Sequence, residues 1–191
     1  MQQEKIETYV TDFKNKAELL AAEVIYLKTP FELPEAASLV LKQAQSNKIA
    51  LVPGEIAEKC NLSGYLSKMG YQVKESGLTE FAAAADAGIS QFDLGIVETG
   101  TLVQNASSLD QRVVSMLPPL HIALLWTDKL VKNMASSLEI IRKEHAEIPA
   151  YLTFVSGPSR TADIERIMTL GVHGPGRLLV MVVSREGGDN E

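Results

Sequence analysis

The sequence predicts an α/β fold: a mainly parallel, doubly wound sheet flanked by helices, with an N-terminal helical segment packed on it. Three observations point there. Short continuous apolar runs at 49–52, 121–126 and 178–183 read as strands buried on both faces. Stretches with three- and four-residue apolar spacing alternate with them, which is the pattern of parallel strands joined by helices. The chain has 191 residues, 46% hydrophobic and 22% charged, enough apolar material for one sizeable core.

Taken in order, Ile6, Tyr9, Val10, Phe13, Ala17, Leu20, Val24 and Leu27 predict one long amphipathic helix ended by Thr29-Pro30. Pro34 suits the first turn of a second helix that reaches Gln43. Pro53-Gly54 stops the first strand. A helix is expected over 56–69, a short strand at 71–73, an Ala-rich helix over 78–89 and a strand at 94–97. The region around Gly100 suggests an antiparallel pair, and a helix over 127–144 and a strand at 151–155 follow the run 121–126. Thr161 reads as the N-cap of a further helix, with Asp163 and Glu165 in its first turn. The organisation expected is a helical segment over 1–48, an α/β domain over 49–184 and a flexible tail over 185–191, within one globular domain.

A formal net charge of -6 argues against a nucleic-acid backbone or an anionic membrane as partner, since both attract clustered Lys and Arg. The polar opening Gln2-Gln3-Glu4-Lys5 does not read as a secretory signal, and no run approaches a membrane span, so the expected location is the cytoplasm. Cys60 is the sole cysteine, which excludes an internal disulfide and an iron-sulfur cluster held by this chain's own thiolates. His121 and His145 lack metal-ligand spacing, so no metal site is expected.

Three loops are placed by this reading beyond the carboxyl ends of strands, where open α/β sheets bind ligands. The first is Glu98-Thr99-Gly100-Thr101: two hydroxyls and a glycine suit an anion, Glu98 suits a base or nucleophile, and a plain turn explains the same residues. The second carries Ser156, Gly157, Ser159, Arg160 and Thr161 ahead of the expected helix, with hydroxyls, backbone amides and a guanidinium fit for a carboxylate or phosphate. Asp163 could instead neutralise Arg160. The third, around His173, is a tight Gly/Pro connection in which the histidine either faces a ligand or holds backbone. Arg112 adds a second cation to the cleft or pairs with Asp110 at the surface.

In combination, the strings ETGT at 98–101, LPPLHI at 117–122, SGPSRTADIE at 156–165 and GVHGP at 171–175 resemble the LUD domain, the lactate-utilisation protein C family. The resemblance implies the fold of the ribose-5-phosphate isomerase and CoA-transferase superfamily. It also implies a part in the oxidation of L-lactate to pyruvate, beside partner proteins that carry the iron-sulfur clusters, with no cofactor bound by this chain. Two other readings stay open: a stand-alone enzyme acting on an acyl-CoA or sugar phosphate through Glu98, and a non-catalytic scaffold.

Overall fold

Where apolar residues run without interruption, both faces of a strand must be covered, and the molecule does this with a central parallel sheet between helices and a second sheet. In a computed structural model, which describes residues 2–144, 149–161, 169–170 and 173–185, the central sheet has the order β1-β12-β7-β4-β2-β3. Its strands are β1 (Glu23–Leu27), β2 (Lys48–Leu51), β3 (Gln72–Lys74), β4 (Ala87–Gln91), β7 (Leu120–Trp126) and β12 (Arg177–Val183), and every pairing is parallel. From β2 the chain steps to the β3 edge, whereas β4, β7 and β12 step successively the other way, so the sheet is doubly wound as the sequence predicts. All seven residues of β7 are buried.

The second sheet has the order β8-β5-β6-β9, formed by β5 (Leu94–Ile96), β6 (Thr101–Asn105), β8 (Leu130–Val131) and β9 (Leu152–Val155). β5 and β6 pair antiparallel, as expected for the Gly100 region. A two-stranded ladder joins β10 (Arg160–Thr161) to β11 (Thr169–Leu170). The helix expected between these two strands, with Asp163 and Glu165, lies outside the described residues, as does His145.

Helix α1 (Gln2–Leu19) buries Val10, Phe13 and Ala17 in the cluster that holds Val180 and Val182 of β12 and Leu102 of β6. It ends earlier than its apolar period suggests. Ala21 adopts φ 64, Ala22 N–H bonds the Ala17 carbonyl at 3.1 Å and Ala21 N–H the Glu18 carbonyl at 3.0 Å. This is the Schellman ending, built on an alanine where glycine is usual. Val24 to Leu27 are therefore not helix but edge strand, and the segment 1–48 contributes a strand to the central sheet.

Other boundaries shift for similar reasons. α2 (Leu33–Gln43) stands where expected. The stretch 56–69 is two helices, α3 (Glu55–Lys59) and α4 (Leu62–Lys68), parted at Asn61 with φ 47. The Ala-rich stretch 78–89 gives only α5 (Leu78–Phe81) and one 3₁₀ turn before it becomes β4. Small residues there serve close packing: a Cβ on Gly88 would sit 2.2 Å from the Val114 carbonyl of α6 (Leu109–Met116). The stretch 127–144 opens with a 3₁₀ turn and β8, and α7 (Met134–Glu144) begins after Asn133, whose Oδ1 accepts the Ser136 N–H at 3.0 Å. Arg185 is held by ion pairs and is not part of a free tail; residues 186–191 lie outside the described set.

Candidate functional site

The sequence places its three candidate loops beyond the carboxyl ends of strands; the fold gathers them near the opposite, amino ends of the central sheet. Ser159 N–H donates to the Pro175 carbonyl at 2.9 Å, just before β12 begins. A Cβ on Gly174 would lie 3.0 Å from Ser159 Cβ and 3.8 Å from the carbonyl of Met116, just ahead of β7. Glycines 100 and 157 meet the C-terminal end of α1: a Cβ on Gly100 would fall 2.3 Å from Ala17 N, and one on Gly157 2.2 Å from the Leu20 carbonyl oxygen. Their φ values of 63 and 78 need glycine for conformation as well. The misplacement arises because β5 and β9, which precede the first two loops, belong to the second sheet.

Hydroxyls tie the loops together. Thr99 Oγ1 donates to Thr101 Oγ1 at 2.8 Å, and Thr101 Oγ1 lies 2.8 Å from Ser156 Oγ. Arg160 donates to the Leu20 carbonyl at the end of α1, which answers a carbonyl that the helix itself leaves unbonded. A guanidinium carries five N–H donors, so this contact does not exhaust it. Thr161 is described by its backbone alone, paired with Thr169. His173 is exposed at the same end of the sheet.

Glu98 and Arg112 do not join this hydroxyl group. Glu98 is exposed after β5, its N–H bonded to the Lys132 carbonyl at 3.1 Å. Arg112 does not pair with Asp110; its Nη1 donates to the carbonyls of Ala106 at 2.6 Å and Ser107 at 3.1 Å, and its guanidinium lies 4.3 Å from the Tyr151 ring centroid. It anchors the connection between β6 and α6. Arg177, at the start of β12, pairs in bidentate fashion with Glu23 at 2.5 and 2.8 Å. That contact holds the Glu23 carboxyl below its usual range. Among the described residues, no group of three or more His, Cys, Asp or Glu could hold a metal ion.

Residues 10–183 match the LUD domain. The chain belongs to the LUD domain family. It is 39% identical over 107 residues to lactate utilization protein C 1 of Bacillus mycoides, covering 54% of this chain and 46% of that protein. It is 30% identical over 136 residues to an uncharacterized protein of Neisseria meningitidis serogroup B, covering 71% and 58% respectively. A lactate utilization protein C of Anoxybacillus flavithermus matches at 29% over 157 residues, 80% of this chain and 70% of that one. The chain thus spans about half the length of the first two relatives. The crystal structure of a DUF162 family protein from Deinococcus radiodurans has the same fold, with a TM-score of 0.68, 24% identity, and coverage of 93% of this chain and 98% of that one.

Two groups in this LUD domain escape the sequence reading. At the carboxyl ends of the central sheet, Arg185 donates to Glu55 at 2.5 and 3.2 Å and to Asp128 at 2.9 Å, Trp126 Nε1 donates to Glu55 at 3.0 Å, and the Arg185 guanidinium lies 4.4 Å from the Trp126 ring centroid. The Arg185 contact, then that with Trp126, holds the Glu55 carboxyl below its usual range despite some desolvation. Residues 55, 128 and 185 share no local motif, so only the parallel register brings them together. Between the sheets, Ser90, Gln104 and His121 form a buried polar group. The sole signal for it is a polar residue inside each of three apolar strands.

Proposed function

We propose that this LUD domain is the cluster-free component of an L-lactate utilisation system. It acts with iron-sulfur partner proteins in the oxidation of L-lactate to pyruvate, and its own part is to bind a small 2-hydroxy or 2-oxo carboxylate. The observation that carries the reading is the family membership joined to relatives that bear the name lactate utilization protein C. The thiol inventory supports it: Cys60 stands alone, and burial pushes its thiol up from the ordinary value, the reverse of what a cluster ligand needs. The redox centres belong on the partners.

The amino-end loops fit a structural duty. The Ser159 amide and one Arg160 N–H are taken up by the carbonyls of Pro175 and Leu20, and two glycines are pressed against α1. These contacts favour a clasp that fixes α1 on both sheets, with Arg160 and the loop surface facing the partner.

Reconstitution tests the function. Iron-sulfur partners from the same genome, with L-lactate and an artificial electron acceptor, are expected to form pyruvate several times faster when this chain is present. Thermal unfolding is expected to shift upward with lactate or pyruvate, by the equivalent of about 2.7 kcal/mol at a hundredfold excess over the dissociation constant. Equal pyruvate formation with and without the chain overturns the proposal. Wild-type rates with Arg160→Met would remove Arg160 from the working surface.

A further inference from the structure

A cavity of about 210 Å³ opens at the carboxyl end of β7, where the first turns of α1 cross the chain as it leaves the central sheet. Lys5, Ile6, Tyr9, Thr127, Asp128 and Leu130 line it. Drug-sized ligands fill cavities of about 300–1,000 Å³, so this one suits something smaller. That leaves room for a small molecule of a few heavy atoms. The carboxyl ends of the strands are also where open α/β sheets receive ligands, and the described residues that join the signature loops lie at the other end.

The lining offers three kinds of contact around a small centre. Lys5 brings an ammonium, positioned 5.4 Å from the Tyr9 ring centroid. Its stem has the length to hold a carboxylate at the mouth. Asp128 faces the same space; its Oδ2 accepts at 2.9 Å from Arg185, which it shares with Glu55, and the carboxylate keeps acceptor capacity for a hydroxyl. Arg185 is itself fixed by Glu55 on α3, which ties this wall to the end of β2. Thr127 is buried and supplies a hydroxyl that can donate to a carbonyl oxygen. Ile6 and Leu130 supply the apolar side.

The geometry points to this cavity as the seat of a short 2-hydroxy or 2-oxo monocarboxylate: carboxylate on Lys5, hydroxyl on Asp128 or carbonyl on Thr127, and alkyl group against Ile6 and Leu130. The assignment rests on the small-carboxylate part of the function proposed above and gives it a place.

Calorimetric titration of the full chain with sodium L-lactate and with pyruvate tests it. Lys5 is exposed and has no ion pair among the described contacts, so Lys5→Met is expected to keep the fold while weakening binding by tenfold or more. Lys68→Met, on the far helix α4, removes the same charge and is expected to leave affinity within twofold. Binding by Lys5→Met equal to wild type, or binding lost in Arg160→Met and kept in Lys5→Met, overturns the cavity assignment and leaves the broader function intact. Absence of binding by the wild-type chain also overturns it; pyruvate formation in the reconstituted system then decides separately whether the lactate function survives.

Discussion

Nε2 of His121 lies 3.0 Å from Oγ of Ser90, and both side chains are sealed between the two sheets. Gln104 joins this contact, and its own orientation is fixed. Its amide nitrogen lies 3.0 Å from the Gln91 carbonyl, which accepts, so the amide cannot be turned round without setting two oxygens against each other. The same nitrogen donates to Ser90 Oγ at 3.3 Å. Ser90 Oγ and His121 Nε2 share one hydrogen, given by the hydroxyl or by the ring according to the imidazole tautomer.

Burial of this imidazole lowers the His121 pKa from 6.5 to about 4. The sign follows from which state takes the proton first. Between pH 6.5 and 4 the unfolded chain is protonated at this residue and the folded chain is not, so stability is complete above 6.5 and falls as pH drops through that window. The slope is about 1.4 kcal/mol per pH unit, so about 2 kcal/mol disappears between pH 6.5 and 5. Urea unfolding at both pH values is expected to show this loss in the wild type and a loss smaller by that amount in His121→Gln, which retains a hydrogen-bonding group for Ser90. Identical pH dependence in the two proteins would mean that His121 is not buried as a neutral ring.

The clasp on α1 makes a second prediction. Gly100→Ala and Gly157→Ala each force a Cβ into backbone atoms 2.3 and 2.2 Å away, in a left-handed conformation. Each is expected to cost roughly 2 kcal/mol or more, because α1 must withdraw from the sheets to make room. Gly70→Ala is the matched comparison: φ is 93, but no atom stands within 4 Å of the added Cβ. It carries only the backbone strain, about 1 kcal/mol. Urea midpoints for the three variants separate packing from conformation, and equal losses at all three would remove the clasp.

The sequence reveals what local periodicity and apolar runs determine, and it hides what depends on the second sheet. The buried strands β7 and β12 are legible because their continuous apolar runs, 122–126 and 178–183, cannot be left exposed. Ala21 is not legible as a helix end, since alanine is the best helix former and nothing local announces its φ of 64. Likewise Ala87 and Gly88 look like helix residues or a break, yet they form β4 by pairing with β2 and β7, and the Val114 carbonyl leaves no room for a Cβ at Gly88. For the candidate loops the residue grouping is legible and the end of the sheet is not. Thr101 and Ser156 do meet, while Arg112 bonds the carbonyls of Ala106 and Ser107 instead, because β5, β6 and β9 fold as a separate sheet whose direction no single motif encodes.

The hydroxyl chain gives a third prediction with an uncommon asymmetry. Thr99 donates to Thr101, so Thr101 must send its own proton to Ser156, and of the three only Thr101 is buried. Ser156→Ala would strand that buried proton without an acceptor and is expected to cost about 1–2 kcal/mol, more than the roughly 0.5 kcal/mol typical of an exposed serine. Thr101→Val removes the stranded group and leaves Thr99 and Ser156 able to bond water. The double variant is therefore expected to be less destabilised than the sum of the singles, by about 0.5–1 kcal/mol. Urea unfolding of the four proteins closes the cycle. Strict additivity would mean that the two loops meet without bonding, and the link between the first and second signature strings would then rest on their glycines alone.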